Sequence, residues 1–346
     1  MRILIFSTYE EHVFLEHVIY KGLNETIGHD KVYFYSPNKI TDNYIKYDQK
    51  TQNIINPEDI YTKVDNFDSI FFFQDATSDA QFAKILNKKT STVKCFFDTS
   101  DDFFIKNVYF HPEIKYYFKR ELYATEPQMV YKYEWIVRYL ADYFRLRLSN
   151  RITYWNMPRD VAIASKYKKA FPFPLTTMYH PSPKNQANRK YDMTFIGTPN
   201  VRERRKYLKE GLSIATKYKT HKFFFETNKK INNKEYFKIL QHTKVGLSTR
   251  GVGFDTFRYW EIPCTGAALL STKPKTVIPN NFIDEEDALF FENESEMSAK
   301  FEKYVIKSDE WREIASRGQK KMIQYHTPKK RIELLVLKHI DSTLTK

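Results

Sequence analysis

The chain has 346 residues, 42% of them hydrophobic, 16% aromatic and 28% charged, which excludes a disordered polymer and suits two domains of ordinary size. Its two cysteines, Cys95 and Cys264, exclude a disulfide scaffold and a cysteine-built zinc cluster, and they suit a reducing compartment. The net charge of +14 favours an acidic partner such as nucleic acid, an anionic membrane surface or a phosphate-bearing substrate; the joint abundance of Lys, Asn, Ile, Tyr and Phe also fits an AT-rich coding sequence, so charge alone decides nothing.

The N-terminus, MRILIF, passes straight into polar STYEEH, too short a run for a signal peptide. No stretch approaches the ~20 apolar residues of a membrane span, so a cytoplasmic protein without a transmembrane segment is expected. Residues 2–7 read as a strand and 10–24 as a helix with Val13, Phe14, His17, Val18 and Leu23 roughly on one face. Further strands are predicted at 31–37, 69–75 and 92–98, with a helix at 79–88. Strands apolar on both faces and separated by helices mark a parallel sheet covered on both sides. Residues 129–149 read as a long helix rich in aromatics and Arg.

Residues 171–190 hold four of the fourteen prolines and then a polar run, which reads as an interdomain linker. Alternation restarts after it. Strands are predicted at 191–197, 221–227, 244–249 and 267–271, and helices at 201–218, 233–242 and 256–263. Terminal helices follow at about 296–306, 308–324 and 327–343, the last opening on Thr327 as N-cap and Pro328 at the first helical position.

Glycine is scarce, nine residues against a usual share of about 7%, so each one answers a backbone need. Four of them, Gly246, Gly251, Gly253 and Gly266, lie in one stretch, and Gly197 closes an apolar run before a basic cluster. The stretch KVGLSTRGVGFDTFRYWEIPCTGAALLS (244–271) reads as strand, glycine loop, helix, glycine, strand. The loop after a parallel strand meets the next helix's N-terminus, whose open N–H groups and partial positive charge suit phosphate. Arg250 stands at the strand exit, and Gly251 and Gly253 let the backbone approach a ligand. Asp255 is placed as N-cap, Thr256 at N1 and Arg258 at N3, with Glu261 on the same helix face as Arg258. Two arginines and a carboxylate would supply phosphate clamps and an acceptor for a ribose hydroxyl. The plain alternative is that Asp255 only caps, Arg258 and Glu261 pair on the surface and the glycines only turn the chain.

The pattern RGxGxDTFRxWExxxxGAxLLS resembles the donor-binding segment of group 1-type nucleotide-sugar glycosyltransferases, in particular the spore-maturation (CgeB-like) branch. The resemblance implies that Glu261 holds the donor ribose and that Arg250 and Arg258 contact the diphosphate. The run YDMTFIGTPNVRERRKYL (191–208) is similar to the family's first strand and loop in the nucleotide domain. It adds Gly197, Thr198 and a phosphate contact at Arg202 or Arg204. Residues 309–337 are similar to the family's terminal helices, so the resemblance covers about 190–340 well and 1–180 loosely. A second family Glu, eight residues before the ribose-binding one, here falls on Gly253, leaving that role vacant or taken by Asp255.

On the other side, FFDTSDD places Asp98, Asp101 and Asp102 at a strand end, with Asp75 at another. Such carboxylates could serve as general base, ligate a divalent metal or simply cap a solvated turn. His12, in the first βα turn, is a further candidate base, and Lys119 and Arg120 are candidates for the acceptor side.

These observations lead to an α/β protein of two Rossmann-like domains facing across a cleft, the GT-B arrangement. The expected divisions are an acceptor-side domain at 1–180, a nucleotide-sugar-binding domain at 190–326 and a terminal helix at 327–346 crossing back to the first domain. The expected activity is transfer of a sugar from a nucleoside diphosphate sugar of UDP or GDP type, with no metal or other cofactor. The acceptor is left open: a saccharide, a protein, a nucleic acid or another polyanion such as a membrane-surface glycoconjugate. The competing reading is a non-catalytic, basic nucleic-acid-binding protein.

Overall fold

Strands form where the chain is apolar on both faces, and the computed structural model sorts them into two parallel sheets. The structure describes residues 1–6, 14–35, 53–73, 77, 79–100, 104–105, 108, 111–122, 129–130, 170–179, 189–229, 231–251 and 253–344. His12, Asp75, Asp101 and Asp102 lie outside them, as do residues 131–149 of the expected long helix and 180–188 of the expected linker. The chain divides into two compact units, Met1–Pro174 with Arg331–Lys346, and Leu175–Lys330.

The first unit is built on β1 (Ile3–Phe6), β2 (Val32–Tyr35), β3 (Asn53–Ile55), β4 (Ser69–Phe73) and β5 (Val93–Asp98). It continues with β6 (Phe104–Ile105), β7 (Ile114–Lys119), β8 (Met129–Val130) and β9 (Ala170–Pro172). Seven of these make one sheet in the order β3-β2-β1-β4-β5-β7-β9, every pair parallel, while β6 and β8 pair separately. The two faces are filled by alternate residues, as the two-residue period of a strand requires. Phe72 meets Phe82 edge to face at 5.2 Å on one side, whereas Phe71 and Phe73 meet Phe97 at 5.0 and 5.3 Å on the other.

Buried charges interrupt this apolar sheet, and the first lies in β5. Lys94 of β5 is 1% exposed, and its Nζ donates to the carbonyls of Leu86 and Lys88. These carbonyls lie at the end of helix Ala80–Asn87, so the ammonium meets the negative pole of that helix, and it also pairs with Glu113 at 3.3 Å. The terminal segment belongs to this unit: the His339 ring lies tilted against Phe171 of β9 at 4.3 Å, and its carbonyl accepts the hydroxyl of Tyr116 of β7.

The expected elements reappear with three differences. Helix Phe14–Ile27 runs three residues beyond the expected end at 24. Residues 171 and 172, expected as the start of a linker, join Ala170 in the outermost strand of the first sheet, where Pro172 needs no N–H for a further neighbour. Met129 and Val130, expected in a helix, are a short strand paired with Phe104 and Ile105.

The second unit holds β10 (Tyr191–Ile196), β11 (Phe223–Glu226), β12 (Thr243–Ser248), β13 (Ala268–Thr272) and β14 (Leu289–Phe291), parallel throughout in the order β11-β10-β12-β13-β14. One sheet face, with Met193, Phe195, Val245, Leu247, Ala268 and Leu270, packs in a cluster with Trp311, Ile314 and Ala315 of helix Trp311–Tyr325. The order reverses between β10 and β12: the chain leaves β10 for β11 on one side, and leaves β12 for β13 on the other. Such a switch point opens a crevice at the carboxyl ends of the two strands.

Candidate functional site

The carboxyl ends of β10 and β12 carry the two glycine positions singled out by the sequence. After β10 come Gly197 and Thr198, then helix Arg202–Lys217; after β12 come Arg250, Gly251 and Gly253, then helix Phe257–Cys264. The switch point therefore brings together the two segments that the sequence separates by about fifty residues.

Two arginines cross between these loops. Arg258, from the helix after β12, sends Nη1 to the carbonyl of Ile196 at the end of β10, at 2.9 Å. Arg204, from the helix after β10, donates to the Thr198 carbonyl at 2.7 Å and to Asn200 Oδ1 at 3.0 Å. The glycines make room for the guanidinium groups. Gly197 has φ +149°, and a Cβ there would stand 2.2 Å from Arg258 Nη1; a Cβ on Gly251 would stand 2.9 Å from Arg204 Nη2. Each arginine thus lies against the loop that the other helix follows. The Gly251 N–H donates to the Gly253 carbonyl at 3.0 Å, which closes the second loop on itself.

Burial works against both charges at this crossing. Burial pulls Arg204 down to about 10, and the charge of Arg258 pulls in the same direction. Burial likewise lowers Arg258. Neither Nε has a hydrogen-bond partner. Arg250 sits further out: its Nε lies 3.3 Å from Glu203 Oε2, and its guanidinium covers the Phe254 ring at 4.7 Å. Arg202 is exposed at the first turn of its helix.

Helix Phe257–Cys264 differs at its start from the sequence expectation. Thr256, expected at N1, is the N-cap residue, its Oγ1 lying 3.2 Å from Ser248 Oγ and making no capping bond. Arg258 consequently stands at N2. Asp255, expected as the cap, turns away: it accepts Trp260 Nε1 at 2.7 Å and the backbone N–H of Leu175. Trp260 is wholly buried and its indole N–H needs an acceptor, so this demand outweighs capping. Asp255 is 2% exposed and engaged on both oxygens, a placement that fits holding the loop and not the vacant catalytic carboxylate.

Glu261 and Arg258 do not form the surface pair that was the plain alternative. Glu261 Oε2 accepts the hydroxyl of Tyr236 at 2.6 Å. Burial raises the Glu261 carboxyl, while the Tyr236 hydrogen bond and the Arg258 charge oppose that rise. At the far end, Arg189 donates to the carbonyls of Leu240, Gln241, Thr243, Thr265 and Gly266, and so fastens the C-termini of helices Asn233–Gln241 and Phe257–Cys264 together.

Sequence reasoning missed Tyr236 and Glu203. Tyr236 lies 25 residues before Glu261 on another helix, and no local spacing links them. Glu203 stands in an alternating-charge run that reads as surface.

Asp98 is corrected more sharply. It is 1% exposed, 3.0 Å from Lys119 Nζ, and accepts Tyr117 Oη, Ser100 N and Ser100 Oγ. A carboxylate so enclosed is not placed to take a proton from an acceptor. Lys119, expected on the acceptor side, is the buried partner of that ion pair. Among the described residues no cluster of three or more His, Cys, Asp or Glu could hold a metal ion, and no helix is long and apolar enough to cross a membrane.

Residues 185–336 match a family model described as glycosyl transferase-like. Among solved structures the chain is similar to HepE of Anabaena in complex with UDP and glucose, at 10% identity and a TM-score of 0.54, over 100% of this chain and 99% of that one. It is also similar to the trehalose-6-phosphate synthase OtsA, at 11% identity and a TM-score of 0.54, over 99% of each chain. No curated protein sequence matches. At such identity the two structures speak for the fold, two Rossmann-like domains of the GT-B glycosyltransferase type. The segment that matches the glycosyl transferase-like model contains both crossing arginines and Glu261.

Proposed function

We propose that the protein transfers a sugar from a nucleoside diphosphate sugar, of UDP or GDP type, and that the second unit binds the donor at the β10–β12 switch point. The observation that carries this reading is the pair of arginines crossed over two glycine loops, beside a helix N-terminus whose N–H groups the Thr256 side chain does not cap. A buried and a half-buried cation with an open helix end together match a diphosphate. HepE, similar in fold, was solved with UDP.

In this reading Arg204, Arg250 and Arg258 neutralise the diphosphate, with backbone approach at Gly197, Thr198, Gly251, Gly253 and Thr256 and a peripheral charge at Arg202. Glu261 takes the ribose hydroxyls. As the bond from the anomeric carbon to the diphosphate oxygen breaks, negative charge grows on the leaving group, and donors already in place stabilise it without reorganisation. The first unit takes the acceptor, and His12, Asp101 and Asp102 are the candidate bases for its hydroxyl that remain once Asp98 is enclosed. A polyanionic acceptor fits the net charge of +14.

The test is a thermal-shift and calorimetric screen against UDP, GDP, ADP, CMP and their sugars. A ligand at a hundredfold excess over its dissociation constant should stabilise the protein by about 2.7 kcal/mol. If no nucleotide stabilises it while oligonucleotides do, the donor site is refuted and a nucleic-acid-binding role takes its place.

A further inference from the structure

We propose that Tyr236 is a positioning residue for donor recognition: its hydroxyl holds one oxygen of Glu261 and leaves the other to the ribose hydroxyls of the nucleotide. This inference rests on the ribose role given to Glu261 above.

The geometry makes Tyr236 a fixed support. It stands in helix Asn233–Gln241, which links β11 to β12, while Glu261 stands in helix Phe257–Cys264, which links β12 to β13. Apart from Arg189, a second clamp binds these helices. Tyr179 stacks on Phe237 at 4.1 Å, accepts Gln241 Nε2 at its hydroxyl, and accepts Cys264 Sγ at its carbonyl, at 3.3 Å. The distance between the Tyr236 hydroxyl and Glu261 Oε2 is thereby set by the packing of both helices and not by a free side chain.

The direction of the hydrogen bond is also fixed. A carboxylate can only accept, and Tyr236 keeps its proton because burial and the Glu261 charge push the phenol well above its ordinary value. The titratable and charged groups that act on Glu261 are Tyr236 from the neighbouring helix and Arg258 from its own. Arg258 has Nη1 on the Ile196 carbonyl, so it reaches Glu261 as a charge, whereas Tyr236 is the direct ligand. Removing the hydroxyl leaves burial opposed only by Arg258, and the carboxyl then takes a proton at higher pH.

The experiment is Tyr236→Phe, which keeps the ring that packs edge to face against Phe237 at 5.1 Å. Affinity for UDP and for GDP is measured by calorimetry across about pH 5 to 9, beside the same nucleotides lacking both ribose hydroxyls. The parent should bind UDP or GDP more weakly as pH falls and Glu261 takes a proton. In Tyr236→Phe that fall should begin about one pH unit higher, with roughly tenfold weaker binding on the acid side and convergence with the parent at alkaline pH. Titration of the diphosphate itself is common to both proteins. For the dideoxy nucleotides the two proteins should behave alike.

An unchanged pH profile overturns the proposal, as does a shift that persists with the dideoxy nucleotides. The ribose reading is judged separately by Glu261→Gln, which should abolish the preference for ribose over dideoxyribose. If it does so while Tyr236→Phe changes nothing, the ribose role stands and the positioning role fails. If the parent shows no such preference, both fall.

Discussion

Asp98 in the first unit and Glu261 in the second are carboxylates with matching company, a tyrosine hydroxyl and a cationic side chain. Around Asp98 the set closes. Tyr117, Lys119 and Ser100 all bond to it, and the Asp98 and Lys119 side chains are 0% exposed. Around Glu261 the set stays open, since Tyr236 takes one oxygen and the Arg258 guanidinium bonds a backbone carbonyl instead. What distinguishes a structural carboxylate from a recognising one is how many of its lone pairs the fold already uses.

This contrast can be broken most forcefully at Lys119. Lys119→Ala leaves Asp98 buried without its cation and should cost roughly 3–5 kcal/mol of stability in denaturant unfolding. Nucleotide affinity at folded conditions should not move, because the proposed donor site lies in the other unit. A variant as stable as the parent would mean that the Asp98 network is not the closed structural unit described above.

Arg258→Lys comes next. It keeps the charge and loses the planar fork that bonds the Ile196 carbonyl and, in the proposed function, the diphosphate, so turnover should fall by about 10²–10³ with folding intact. Full activity in this variant would reduce Arg258 to a remote charge. The smallest effect is expected for Glu261→Ala, which should weaken nucleotide binding by roughly 1–3 kcal/mol, because a buried hydroxyl loses a charged acceptor. Binding as tight as the parent's would remove Glu261 from the ribose.

Most strands of the two sheets were readable from sequence because they are apolar on both faces over four to six residues, whereas β7, IKYYFK, hides its strand behind two lysines. IFFF of β4 and CFF of β5 fit no solvated surface. Short edge strands were not readable. Asn53–Ile55 and Leu289–Phe291 have three residues each, and Ala170–Pro172 ends in a proline that signals a turn. At the site, the glycine spacing located both loops, since a scarce residue marks backbone demand. The crossing itself was hidden. That Arg258 reaches β10, and that Arg204 lies against Gly251, follows from the reversal of strand order, which no local pattern records. The cap was misassigned for a related reason: Asp255 fits a helix start by spacing, but buried Trp260 and the chain at Leu175 compete for it.

The return of residues 331–346 to the first unit sets an order of assembly. Residues 175–330 are one unbroken stretch of chain and are complete once synthesised, whereas the earlier-made sheet waits for its last piece. Until that piece arrives, Phe171 lacks the His339 ring, and the places of Ile332, Val336 and Ile340, each 0% exposed in the finished fold, stand empty. A ribosome that stalls before residue 331 would therefore release a finished second unit tethered to an uncovered first one, with aromatic surface open to chaperones or to aggregation.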